Sequence, residues 1–327
     1  MSQIKKGALW VFCEVHANEL LPVGLQLLGR AKTLAAKSNR PLYAVVLGEI
    51  DKESVKLLLE SGADEVIVSV GEALNEKLEK PYADSLIELA KEFEPDILLV
   101  GATPFGRAFA PRVAAALQTG LTADCTELSI EEESGLLLQT RPAFGGNMMA
   151  TIRTATSRPQ MATVRPGVLP LPEPVEVEGK EAVKIEYKGE KSAVKLLKET
   201  AIVRGADISQ SKIIVAAGRG IGQKKNLKLV KALAEKLGGE VGATRPLVDM
   251  GFVPYSSQIG QTGYSVAPDL LICCGISGAV QHLAGIGGAK TVIAINTDPK
   301  APIFAVADYK IVGDCVTVLE NLLKEME

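Results

Sequence analysis

The sequence predicts two α/β domains, an N-terminal parallel-sheet domain with extra extended segments followed by a C-terminal Rossmann-like domain. Three observations carry this expectation. Short apolar runs alternate with amphipathic stretches through both halves of the chain. Glycine reaches 31 residues while aromatic residues make up 4%, a balance that suits many strand-to-helix turns better than a β-sandwich. The 327 residues are long for one hydrophobic core and comfortable for two.

In the first half, ALWVFCEV reads as a strand and Leu20 to Lys37 has helical apolar spacing. PLYAVVLG is the next strand, and Asp51 caps the helix DKESVKLLLESG. EVIVSV, the helix YADSLIELAKEF, the strand DILLVGA and a helix across GRAFAPRVAAAL follow. Short apolar runs bounded by turns are what strands covered on both faces require. Near Thr122 the character changes. CTELSIEEESGLLLQTR predicts two strands with a turn at Glu133 to Gly135, and NMMATIRT and QMATVRPG add extended segments, read together as a β-rich tail on the first domain. From Leu169 to Lys198, early prolines and later charge alternation predict an edge strand or extended connector. The domain boundary falls near residue 200, giving domains 1–200 and 201–327.

The second half opens with KIIVAAGRGIG, a strand running into glycines. NLKLVKALAEKLGG is a helix with Leu227, Val230, Leu233 and Leu237 on one face. EVGAT, DLLICCG, KTVIAIN and DYKIVGD supply further strands, with helices at SGAVQHLAG and VTVLENLLKEM.

Composition narrows the function. A net charge of −3 lacks the basic surplus of a nucleic-acid binder. No uninterrupted apolar run is long enough for a membrane helix. The start MSQIKKGALWVFCE lacks a secretory signal, so a cytoplasmic location is expected. The five cysteines form no CxxC, which speaks against both a disulfide framework and a cysteine-held iron–sulfur cluster. With only His16 and His282, no histidine-rich metal site is expected.

The chemistry gathers in the last third. A strand running into Gly218, Gly220 and Gly222 invites a dinucleotide reading, with Arg219 at the strand's carboxyl edge. A plain tight turn accounts for the same glycines, and on this fragment alone the two readings stand level. Gln258, Gln261 and Thr262, with Gly260 and Gly263 as flexible points, form a loop suited to a flat heteroaromatic ring: glycine permits close approach, and amides and a hydroxyl direct hydrogen bonds. Ser277 and Gly278 precede a helix holding His282; the serine either caps that helix or helps its free N–H groups accept a phosphate. Asn296 and Asp314 end two strands, where they suit an adenine edge or ribose hydroxyls, Asp314 having a helix cap as its alternative role. Arg219 and Arg245 add two cations, and no nucleophile–base pair stands out. Such a pocket binds an anionic or redox-active dinucleotide and leaves the hard chemistry to it.

The stretches SSQIGQTGYSVAPDLLICCGISGAVQHLAG and KTVIAINTDPKAPIFAVADYKIVGD resemble the alpha subunit of the electron transfer flavoprotein family. GATPFGRAFAPRVAAALQTGLTADCT and QTRPAFGGN extend the resemblance into the first domain. The resemblance implies a heterodimer with a beta subunit that carries AMP or a second FAD. Its implied cofactor here is FAD, held by the second domain, while the first packs with the beta subunit. It further implies electron transfer from acyl-CoA dehydrogenase or another flavin dehydrogenase to a membrane quinone reductase. In anaerobic relatives the implied route runs from NADH to ferredoxin or flavodoxin and an acyl-CoA dehydrogenase. By position, Arg245, Thr262 and His282 match residues around the flavin ring, and Arg219 matches the phosphate-side arginine. Gln258, Ile259, Gly260, Gln261, Ser277, Gly278, Asn296 and Asp314 match the remaining lining, and Thr244 stands where several relatives have serine. Two other readings stay open: a non-redox nucleotide-binding interaction subunit, and, with less support for want of a complete GxGxxG unit, an independent NAD-dependent dehydrogenase.

Overall fold

The computed structural model describes residues 4–16, 19–143, 148–177, 180–198 and 208–326. The chain divides into two compact units, the first built from Met1–Pro142 and Met149–Glu199 and the second chiefly from Thr200–Glu327.

In the first unit β1 (Leu9–Phe12) is followed by a short antiparallel pair, β2 (Val15–His16) and β3 (Glu19–Leu20). Helix α1 (Pro22–Ser38) starts on a proline and ends at Asn39, whose left-handed φ of 50° stops it. Then come β4 (Leu42–Leu47), α2 (Lys52–Glu60), β5 (Glu65–Val70), α3 (Glu79–Phe93), β6 (Ile97–Gly101) and α4 (Pro104–Ala116). Asp51 caps α2 as expected, accepting from Ser54 N at 2.7 Å. The remaining strands are β7 (Leu121–Cys125), β8 (Glu127–Ile130), β9 (Leu137–Ala143), β10 (Met148–Ile152), β11 (Gln160–Val164) and β12 (Val183–Glu186).

Seven of these strands form one sheet in the order β12-β5-β4-β1-β6-β11-β7, and β8, β9 and β10 form a separate three-stranded sheet. The seven-stranded sheet is parallel throughout. Both of its faces are covered. Leu9 and Val11 of β1 enter one core cluster with α1, while Trp10 and Phe12 enter the other with α3 and α4. This is why β1, β4 and β6 read as unbroken apolar runs. Beyond the carboxyl ends of β1 and β6, Glu14 is buried; one carboxylate oxygen meets Lys77 Nζ at 2.6 Å and the other accepts from Thr103 Oγ1 at 2.5 Å.

Two expectations for this unit change. QMATV is not a tail: β11 lies between β6 and β7, and all five of its residues are buried. A buried five-residue run looks alike in sequence whether it pairs locally or is inserted into a distant sheet. The edge strand β7 was not expected, because Thr122 and Asp124 interrupt its apolar pattern. The predicted edge strand in the connector is β12, paired parallel to β5.

The second unit runs β13 (Ile213–Ala217), α5 (Leu227–Leu237), β14 (Glu240–Ala243), α6 (Arg245–Asp249), β15 (Leu270–Cys274), α7 (Val280–Leu283), β16 (Val292–Asn296), β17 (Tyr309–Val312) and α8 (Cys315–Glu325). Its five parallel strands are ordered β14-β13-β15-β16-β17. Alternation sends Ile214 and Ala216 to one core cluster and Val215 and Ala217 to the other; Cys273 and Cys274 divide the same way. Burial pushes the Cys273 thiol up to about 12 and Cys274 well above its ordinary value, so both act as small apolar side chains. Helix α6 has no counterpart among the predicted elements: five residues led by Arg245-Pro246 are too few to show a helical period. Among the described residues no helix is long and apolar enough to cross a membrane.

Candidate functional site

In the second unit the chain leaves β13 toward β14 on one side, while β15 lies on the other, making the carboxyl ends of β13 and β15 a topological switch point. Open parallel sheets bind ligands in the crevice that forms there. A cavity of about 690 Å³ opens at this place. That size is ample for a small-molecule cofactor.

Its floor is backbone against backbone. Gly218 N donates to Cys274 O at 2.8 Å and Gly220 N to Gly275 O at 2.9 Å, stitching the two strand ends together. A Cβ on Gly220 would stand 2.8 Å from the Gly275 Cα, and one on Gly218 would stand 2.4 Å from the Gly275 carbonyl oxygen. Gly218 and Gly220 therefore serve more than a tight turn. They let two strand ends meet without side chains between them.

The walls come from four places. Arg219 leaves β13 exposed at the cavity. Thr244 and Arg245 open α6, and Arg245 Nε lies 3.4 Å from Asp249, an exposed pair worth at most about 1 kcal/mol. The loop from Gln258 to Thr262 is pinned by its own hydrogen bonds: Ile259 N to Ala243 O at 2.8 Å, Gly260 N to Tyr264 O at 3.0 Å and Gln261 N to Gln281 O at 2.7 Å. Gln258 is buried and its Nε2 donates to Thr262 Oγ1 at 3.0 Å, which leaves the threonine O–H free to donate elsewhere. Beyond β15, Ser277 and Gly278 continue the wall, with Gly278 at φ 86° packed so closely that a Cβ would stand 2.2 Å from Ile303 N.

His282 is the most informative wall residue. It is 5% exposed, and its Nδ1 lies 3.1 Å from the Ile259 carbonyl oxygen. A carbonyl only accepts, so Nδ1 carries the hydrogen. Burial holds the imidazole pKa below its ordinary value, against the opposing pull of this hydrogen bond. The ring is therefore neutral near pH 7, and Nε2 is a lone-pair acceptor. That atom is buried and has no partner among the described residues. A buried polar atom without a partner is costly unless a ligand or water supplies a donor.

Of the expected site residues, Arg219, Thr244, Arg245, Gln258, Ile259, Gly260, Gln261, Thr262, Ser277, Gly278, His282 and Asn296 all line this one cavity. Asn296 turns its amide inward, donating to Ile276 O at 2.8 Å and accepting from Asp298 N at 2.9 Å, so it shapes the wall. Asp314 does not line the cavity. It caps α8, accepting from Thr317 N at 3.0 Å. Ser277 is not a helix cap either, since α7 begins after Ala279. Asp249 and Gln281 line the cavity without having been expected there. The spacing Arg245–Asp249, one helical turn, was the available signal for the first.

Two family models match the chain. Residues 9–189 match the electron transfer flavoprotein domain, and residues 207–287 match the electron transfer flavoprotein FAD-binding domain. The chain belongs to the electron transfer flavoprotein family, as an alpha subunit. It is 47% identical to Protein FixB of Clostridium saccharobutylicum over 97% of its own length and 95% of that protein. It is 45% identical to the electron transfer flavoprotein subunit alpha of Thermoanaerobacterium thermosaccharolyticum, covering 98% and 97%. It is 41% identical to the lactate dehydrogenase (NAD(+),ferredoxin) subunit LctC of Acetobacterium woodii, covering 97% of this chain and 76% of that one.

As an electron transfer flavoprotein alpha subunit the chain binds FAD and moves electrons, and both expectations from the sequence hold. The cavity fits the cofactor. Its glycine floor admits a flat, extended ligand, its two arginines offer charge to a pyrophosphate or a reduced ring, and His282 Nε2 waits for a donor.

Proposed function

We propose that this chain holds FAD in the cavity of its second unit and works as one half of a two-subunit electron carrier, its first unit packing against a beta subunit. The observation that carries the cofactor's placement is the buried, partnerless Nε2 of His282, a residue that lines a glycine-floored switch-point cavity. When bound, FAD supplies the one- and two-electron chemistry. The chain's residues bind and tune it. Arg245 and Thr262 serve the ring end, Arg245 through its charge and Thr262 through its free O–H. His282 Nε2 accepts from a ring N–H while neutral and would donate after taking up a proton. Arg219 serves the pyrophosphate, with Ser277 and Gly278 beside it, and Thr244, Gln258, Ile259, Gly260 and Gln261 wall the pocket.

In this reading the donors are flavin dehydrogenases, acyl-CoA dehydrogenase among them, and a quinone reductase accepts. A second reading, in which the complex takes electrons from NADH and passes them to ferredoxin or flavodoxin, is favoured by the likeness to LctC, whose name joins NAD(+) with ferredoxin. The beta subunit separates the two. The test is to copurify both subunits, release and quantify FAD and AMP per heterodimer, and add NADH anaerobically to a parallel sample. One FAD with AMP and no bleaching by NADH supports the simple carrier. Two FAD with rapid bleaching supports the NADH-linked one. A heterodimer without FAD would overturn both.

A further inference from the structure

Next to the residues that line the cavity the chain carries a strongly basic stretch. From Arg219 to Lys236 the chain holds six cations and a single acid, Glu235, within a protein of net charge −3. Lys224, Lys225, Lys228 and Lys231 are exposed. Lys228 and Lys231 lie three apart on α5, so they share a face, away from the buried Val230, Leu233 and Ala234. Among the described residues no carboxylate pairs with Lys225, Lys228 or Lys231.

This basic stripe adjoins exposed apolar surface. Lys224 Nζ donates to Gly251 O at 3.0 Å, which ties the start of the stripe to the end of α6, where Met250 is 46% exposed. Tyr255 is 59% exposed, and its hydroxyl donates to the carbonyl of Thr262, a cavity-lining residue. Arg219 joins the patch to the cavity, as does Arg245, whose charge is shared with Asp249. Large apolar side chains set among unpaired cations are the anatomy of a protein interface, and like charges left unneutralised beside a site select partners of opposite sign.

We propose that this patch, centred on Met250 and Tyr255 and rimmed by Lys224, Lys225 and Lys228, docks a redox protein whose surface is acidic around its own cofactor. The proposal rests on the reading that the neighbouring cavity holds the flavin. A protein exchanging electrons with that cavity must sit at its mouth, and a basic mouth raises the encounter rate of an acidic partner while repelling a basic one.

The test uses the chain copurified with its beta subunit, after FAD content has been measured. The probes are oxidised ferredoxin, an acidic carrier, and cytochrome c, a basic one; the readout is Kd. Ferredoxin binding is expected to weaken roughly tenfold from low salt to about 0.15 M, where charges are screened beyond about 8 Å. Lys225→Glu/Lys228→Glu should weaken ferredoxin binding about tenfold at low salt, flatten its salt dependence and improve binding of cytochrome c. Lys236→Glu, at the far end of α5 where the ammonium meets Leu323 O, should leave Kd unchanged. Equal Kd for the double variant and the unaltered complex at equal FAD content would overturn the proposal. So would loss of the beta subunit from the double variant, which would make the patch a subunit interface. A complex lacking FAD would overturn the cofactor reading itself, and this inference with it.

Discussion

His282 and Ile259 are joined across 23 residues of sequence by a 3.1 Å hydrogen bond from the imidazole Nδ1 to the carbonyl oxygen, and this bond decides what the other ring nitrogen can do. It fixes the tautomer, so the buried Nε2 carries a lone pair. Because burial lowers the folded pKa below the ordinary 6.5, the unfolded chain binds more protons than the folded one in the interval between the two values. The contribution of His282 to stability is therefore full above pH 6.5 and is lost as the pH falls through the folded value. Thermal melts across this range should show that loss in the unaltered protein and a flatter profile in His282→Gln. Coincident profiles would mean that the imidazole is not held neutral by the fold.

Arg245 should set the cofactor's potential. Its guanidinium is well exposed and shares Asp249, so its attraction for a reduced, anionic ring is screened. Arg245→Ala should lower the potential by roughly 20–40 mV for one electron, corresponding to about 0.5–1 kcal/mol. Potentiometric titration checks this, and an unchanged potential would remove Arg245 from the ring end.

Asp314→Ala separates a cap from a ligand contact. The carboxylate accepts from Thr317 N and from Thr317 Oγ1 at 3.0 Å, which predicts a loss of about 1 kcal/mol in stability. FAD affinity should stay as it was. Weaker FAD binding without a change in denaturation midpoint would restore Asp314 to the cofactor site.

Gly278→Ala should damage both fold and site. The residue combines a left-handed φ of 86° with a packed position against Ile303 N, so an added Cβ has neither the backbone conformation nor the room it needs. A loss of more than about 1 kcal/mol is expected, together with reduced FAD content after purification. Chemical denaturation and cofactor quantification measure the two effects separately.

Much of the architecture was legible because each central strand is buried on both faces. Such strands stand out as apolar runs, as with LYAVV in β4 and LLICC in β15. What escaped were placements that depend on distant pairing. Nothing local in QMATV says that it enters the sheet between β6 and β7, and nothing local in LTADC says that it closes the edge. The cavity loops were legible for a different reason: glycine, glutamine and threonine crowd together between Gly260 and Gly263, where no core needs them. The protonated nitrogen of His282 was not legible, since the Ile259 carbonyl that fixes it belongs to another loop. Asp314 was ambiguous because one carboxylate type serves equally as helix cap and hydroxyl acceptor, and the bond from Thr317 N that marks the cap is not written in the sequence.

The meeting of Gly218 and Gly220 with Gly275 has a consequence for how this protein can change. Where two backbones touch, almost no substitution is admissible, and no side chain exists there to be exchanged for another. Variation in ligand preference or redox tuning is confined to the surrounding loops and to the short helix opened by Arg245. Lineages that diverge in electron donor or acceptor are expected to keep this glycine seam while exchanging the residues above it.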